Sequence, residues 1–265
     1  MMNSMIIGKY VPGVSVIHKM DPRAKLIFVF SFVIVVFIAN NAVTYSILGA
    51  YTLLVVLLTR LPVRFLLNGL KPILWIILFT FILHILFTKE GNVIFSIGFF
   101  RVYDEGIQQG VYITLRFIYL ILVTTILTLT TTPIEITDGL ETLLAPFKKL
   151  KLPVHELALM MSISLRFIPT LMEETEKIMK AQMARGTDFS TGTIKKRIEA
   201  IIPLLVPLFI SAFKRAEELA TAMEARGYKG SEGRTKLRQL QWNLKDTFIL
   251  LTFLIIVVIL LLLRS

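Results

Sequence analysis

Two copies of Ala-Arg-Gly carry the chemistry with the best-defined spacing in this chain. Ala184, Arg185 and Gly186 fall within AQMARGTD, and Ala225, Arg226 and Gly227 fall within TAMEARGYKG. A guanidinium binds a carboxylate through two parallel hydrogen bonds, and the flanking alanine and glycine let another backbone come close. One such helix end is ordinary, because glycine takes the left-handed stop position and arginine complements the negative end of the helix dipole. Two in succession describe two copies of one small cationic tip, which suits insertion into two equivalent or pseudo-equivalent grooves, as on a dimer.

The remaining polar residues offer less. His18, His84 and His155 lie far apart without an H-E-x-x-H pattern, and read as satisfied or interfacial histidines rather than metal ligands. The sequence contains no G-x-x-x-x-G-K-S/T phosphate loop and no G-x-S-x-G nucleophile motif. No catalytic residue, metal site or cofactor site is therefore assigned. Arg116 and Arg166 stand in apolar stretches, where a guanidinium must snorkel, pair or face protein. Structural pairing is the expectation for both.

The elements that must hold the two tips are set by a strongly apolar composition, 55% of 265 residues with 19 phenylalanines. Runs at Ala24 to Ala39, Ile47 to Leu58, Ile73 to Phe87, Thr114 to Thr130 and Thr247 to Leu263 each approach the roughly 20 residues that cross a hydrocarbon core as helix. The expected fold is an all-α polytopic membrane protein: about five transmembrane helices plus a cytoplasmic region of about three amphipathic helices. Residues 1–130 form an N-terminal membrane domain of four spans, 131–245 the cytoplasmic domain, and 246–265 a C-terminal transmembrane helix.

Charge gives an orientation. Lys9, Lys19, Arg23 and Lys25 precede the first span, Arg60, Arg64 and Lys71 separate the second from the third, and most other basic residues lie between Lys148 and Lys245. The positive-inside rule makes these regions cytoplasmic and leaves the C-terminus outside. The first span lacks a small-residue cleavage pattern and reads as an uncleaved anchor. A net charge of +11 then records topology and a lipid-bilayer partner, and nothing resembles a nucleic-acid module. The absence of cysteine removes disulfides, thiolate chemistry and Cys-linked lipid.

Between Thr131 and Lys245, charge interrupts the apolar runs every few positions. Thr132, Pro133 and Glu135 form a capping box, so a helix starts there and runs to about Lys149, kinked or shortened by Pro146. A second helix extends from near Pro153 to Arg185. At about thirty residues it is on the order of 45 Å long, more than a bilayer core, and its C-terminal half is too charged for lipid. Gly186 to Thr193 reads as a turn, and a third helix runs from about Ile194 to Gly227. A constant offset aligns Glu176 with Glu217, Arg185 with Arg226 and Gly186 with Gly227. Apolar stripes, among them Leu171, Met172 and Met179 on one helix and Phe213, Leu219 and Met223 on the next, read first as packing faces. Methionine also suits a deformable docking surface.

On composition and spacing alone, two further classes stay open. A polytopic enzyme of lipid or isoprenoid metabolism using Asp21 or Arg23 would need a metal-binding acidic cluster or a buried acid–base pair. A permease with its own solute path would need a polar stripe through the spans, which only Arg116, His84 and a few Thr and Ser interrupt.

The two helices closing on Ala-Arg-Gly resemble the coupling helices of the transmembrane (T) component of energy-coupling-factor (ECF) transporters, ABC-type importers of vitamins and micronutrients. GKYVPGVSVIHKMDPRAKL at Gly8 to Leu26, with its Asp-Pro-Arg, and the segment Thr131 to Thr175 are similar to the family's N-terminal and central regions. The resemblance covers nearly the whole chain. It implies that Ala184, Arg185, Gly186, Ala225, Arg226 and Gly227 dock onto two cytoplasmic ABC ATPases, which bind the ATP, and that the apolar helix faces hold a membrane-embedded substrate-binding (S) component. The absence of dedicated cobalt or nickel features favours a shared module with two different ATPases.

Overall fold

The computed structural model describes residues 10–97, 100–189, 193–230 and 239–264. Gly8, Lys9 and residues 190–192 of the expected turn lie outside them. In chain order the elements are α1 (Val16–Lys19), α2 (Pro22–Val35), α3 (Ala42–Thr59), α4 (Val63–Phe87), β1 (Val93–Ile97), β2 (Phe100–Tyr103), α5 (Asp104–Thr130), α6 (Pro133–Leu144), a 3-10 turn (Ala145–Leu150), α7 (Val154–Ala184), α8 (Ile194–Ala225) and α9 (Leu244–Leu262). Packing divides the chain into Met1–Leu143 with Leu240–Ser265, and Leu144–Gln239.

The first unit is built on α2, α3, α5 and α9. Phe253 of α9 enters an aromatic cluster, its ring 5.0 Å from Phe28, 5.8 Å from Tyr51 and 6.1 Å from Phe32. Such pairs contribute through edge and offset geometry as well as area, which matters in lipid, where apolar burial alone gives helices little reason to associate. Gly106 of α5 shows how near α4 comes. A β-carbon there would stand 3.1 Å from the His84 carbonyl oxygen.

Helix ends in this unit are fastened by buried charge. Asp21 caps α2, accepting from the Arg23 amide at 2.8 Å, and its carboxylate also takes two bonds from the Arg23 guanidinium. Asp246, 1% exposed, caps α9 from inside a capping box with Asn243 and accepts from the Asp21 amide at 3.2 Å. Lys25 is 4% exposed. Its Nζ donates to the carbonyls of His18 and Thr130 and to the Thr131 hydroxyl, so it closes the C-terminal end of α5.

Among the described residues, five helices are long and apolar enough to cross a membrane: α3, α4, α5, α7 and α9. The second to fifth expected spans correspond to α3, α4, α5 and α9. The first three of these begin well before their apolar runs, α4 taking in Arg64 and Lys71, and α5 taking in Asp104 and Glu105. An apolar run measures the hydrocarbon crossing, not the helix. The first expected span differs: α2 has 14 residues, about 21 Å, continued by a tight turn in which the amides of Phe37 and Ile38 donate to Ile34 and Val35. The fold is the expected all-α polytopic membrane class, its little strand among the described residues being the hairpin of β1 and β2, with a bulge between Val93 and Phe95. The hairpin's β-branched and aromatic residues favour strand over helix.

In the second unit α7 and α8 run 31 and 32 residues, continuing through Pro169 and through Pro203 and Pro207. The capping box expected ahead of this region is present: the Thr132 amide donates to Glu135 Oε2 at 2.9 Å, and the Glu135 amide to Thr132 Oγ1 at 3.3 Å. As Pro146 predicts, the α-helix stops at Leu144 and only 3-10 geometry continues.

Candidate docking tips

Helices α7 and α8 end in the same hydrogen-bonded cap. Gly186 N donates to Met183 O at 3.0 Å and Thr187 N to Gln182 O at 3.0 Å; on α8, Gly227 N donates to Glu224 O at 2.8 Å and Tyr228 N to Met223 O at 3.0 Å. Both are Schellman motifs, which satisfy the last carbonyls only if the glycine sits at positive φ. Gly186 has φ 92° and Gly227 φ 71°. The preceding arginines match as closely, Arg185 at φ −86°, ψ 2° and Arg226 at φ −88°, ψ 6°. Two sequences that share only Ala-Arg-Gly here therefore make one backbone shape.

Ala184, Arg185, Gly186, Ala225, Arg226 and Gly227 are all exposed. Among the described residues no atom lies within 4 Å of where a β-carbon would stand on either glycine. Among the described residues neither arginine side chain makes a hydrogen bond or ion pair within the chain. Each tip thus presents a full complement of guanidinium donors beside backbone with no side chain in front of it. That arrangement can bind an anionic group, carboxylate or phosphate, in a recess.

Among the described residues, an ion pair joins the two helices in register. Arg215 Nη2 donates to Glu174 Oε2 at 3.1 Å, in a partly exposed ion pair. Residues 174 and 215 are separated by the same forty-one positions that relate Arg185 to Arg226. The contact therefore joins the two helices at equivalent positions. Each arginine lies eleven residues beyond that contact, about 16 Å of helix. The two arms are equal.

The other residues marked by the sequence fall into place differently. His18 is satisfied, Nδ1 2.6 Å from the Ser15 hydroxyl and Nε2 3.0 Å from the Val11 carbonyl, and His84 bonds the Thr80 carbonyl of its own helix. Arg116 finds protein as expected, but not a carboxylate: it donates to the Tyr45 hydroxyl at 2.8 Å and lies 5.0 Å from the Phe37 ring centroid. Arg166 departs from expectation. It is exposed and has no ion-pair partner among the described residues. Asp21 and Arg23 are committed to each other and to the α2 cap. Sequence reasoning missed Glu174 and Arg215, although the constant offset of the two helices already paired them, and it took Lys25 for a topology marker rather than a buried cap.

The sequence profile described as CbiQ, cobalt transport protein, matches residues 13–237, both tips included. The energy-coupling factor transporter transmembrane protein EcfT of Bacillus subtilis is 68% identical over 265 residues, the whole of both chains. The proteins of that name from Exiguobacterium sibiricum and Macrococcus caseolyticus are 56% identical over 261 residues (98% of this chain, 99% of the relative) and 55% identical over 265 residues (100% of each). These relatives are named as membrane components of a transporter and not as enzymes, which sets aside an enzymatic reading of Asp21 and Arg23. Matched end to end by such relatives, this multi-pass membrane chain belongs to the family of transmembrane (T) components of energy-coupling-factor transporters.

Proposed function

We propose that the chain is the mechanical link of an importer, passing movement from two cytoplasmic ABC ATPases through its two Ala-Arg-Gly tips to a membrane-embedded S component. The observation that carries this reading is the pair of matching, exposed and unpaired arginine caps, set at equal distances from one helix-to-helix contact. Each guanidinium meets an acidic group in a groove on one ATPase. ATP, bound by those partners, closes and opens the pair; the tips follow their grooves, and the long helices carry the displacement to the S component. That component tips in the membrane and releases its vitamin or other micronutrient inward. Ala184, Gly186, Ala225 and Gly227 keep the approach close enough for the arginines to be enclosed. The N-terminus and the α7–α8 region face the cytoplasm and the C-terminus the outside, in accord with the basic residues.

Affinity purification from the native membrane in mild detergent tests this reading. The wild-type chain is expected to carry two P-loop ATPases and a small membrane protein. Arg185→Glu with Arg226→Glu is expected to retain the membrane partner and lose the ATPases, since both sites are exposed helix ends whose reversal leaves the packing alone. Each single Arg→Ala change weakens docking about 10- to 100-fold, the worth of a charged hydrogen bond of about 1.5–3 kcal/mol. Retention of both ATPases by the folded double variant returns the two tips to the role of helix caps.

A further inference from the structure

A groove in the first unit has two chemically different ends. Its larger part, about 810 Å³, runs between α1, α3 and α9 and is walled by Tyr51, Leu54, Leu58, Phe248 and Ile255. Val16, Leu244 and Lys245 also border a second hollow of about 650 Å³, where Lys19, Trp242 and Asn243 join the apolar wall. Leu244 is 90% exposed and Phe248 67%. None of the described residues of this unit fills the groove.

Charge at the mouth identifies the occupant. Lys19 and Lys245 are exposed, and among the described residues neither has a carboxylate within ion-pair distance. Asp246 also lines the mouth, but it is 1% exposed and its two oxygens are held by the amides of Asp21 and Asn243. The net presentation is two free ammonium groups over an apolar slot, with an indole at the boundary whose N–H is bonded to the Thr247 hydroxyl at 2.8 Å. Tryptophan at that level and lysines just beyond it are what the headgroup region of a bilayer selects.

The two ammonium groups call for an anion, which a lipid phosphate supplies and an apolar transmembrane helix does not. Acyl chains bend to any such shape. We infer that this groove is a site for one anionic diacyl phospholipid, its acyl chains between α3 and α9 and its phosphate between Lys19 and Lys245. The lipid would fasten the α9 N-terminus to α1 from outside, as Asp246 fastens it to the α2 N-terminus from inside.

Native mass spectrometry of the purified full-length chain, titrated with phosphatidylglycerol or with phosphatidylcholine of identical acyl chains, reads the preference directly. At about a fivefold gain per lysine, the wild type is expected to retain phosphatidylglycerol about 30-fold better. Lys19→Gln with Lys245→Gln, both at exposed positions, is expected to abolish that preference, while Leu54→Trp lowers retention of both lipids by filling the slot. A photo-crosslinking residue in place of Phe248, irradiated in native membranes, is expected to yield a lipid-mass adduct. Equal retention of the two lipids by the wild type, an unchanged preference in the double variant, or a crosslink to a protein chain overturns the assignment.

Discussion

At the scale of single residues, the tips turn on glycine as much as on arginine. Gly186 and Gly227 hold positive φ with no described residue close to them, so a methyl group added there meets none of the described residues and incurs the left-handed torsional cost, about 1–2 kcal/mol. Gly186→Ala and Gly227→Ala are therefore expected to leave the detergent unfolding midpoint almost unchanged, because an exposed helix end frays without opening the rest. ATPase affinity, measured by titration, should fall about 5- to 30-fold for each, since docking must restore the cap and accommodate the methyl. An affinity equal to wild type would mean that the glycine side of the tip faces away from the partner. These positions were legible in sequence because cap chemistry is local. Lys25 was not: lysine before an apolar run has a topological meaning, and only the return of α5 brings the Thr130 carbonyl to within 2.9 Å of it.

Among elements, α7 and α8 are long arms joined by a weak link. The Glu174–Arg215 pair is partly exposed, and pairs of that kind contribute about 0.2–1 kcal/mol. Its worth lies in register, because it fixes the two helices at equivalent points. Glu174→Arg is expected to shift stability by less than about 1 kcal/mol but to uncouple ATP hydrolysis from transport in proteoliposomes. Adding Arg215→Glu to that change restores the pair with its signs exchanged, and should restore coupling. Recovery absent from the double exchange would show that the contact accompanies the arrangement without maintaining it. Helix bounds were readable here because Pro153, Gly186, Thr193 and Gly227 punctuate them. The ends of α4 and α5 were less so, since Arg64, Lys71, Asp104 and Glu105 break the apolar run without breaking the helix, and the β1–β2 hairpin lies in a connection that hydropathy ignores.

Taken whole, the molecule poses a question of sides that its helices answer only together with its charges. By length and composition α7 qualifies as a membrane span, yet Glu173, Glu174, Glu176, Lys177 and Lys180 crowd its C-terminal half. Several charges at bilayer depth would each cost about 2.5–3.5 kcal/mol on an insertion scale. The expensive crossing is therefore that of α7, and α2, which stops at 14 residues but continues as a tight turn, is the better candidate for the first passage even though it is short. The absence of cysteine makes this testable by single-cysteine labelling of intact cells with a membrane-impermeant maleimide. Lys89→Cys, between α4 and β1, and Arg264→Cys, after α9, are expected to label from outside, and Thr187→Cys, beside the first tip, only after the cells are opened. Thr187→Cys labelled from outside would mean that α7 crosses the bilayer, placing Arg185 beyond reach of any cytoplasmic ATPase and ending the coupling reading while leaving the family assignment intact.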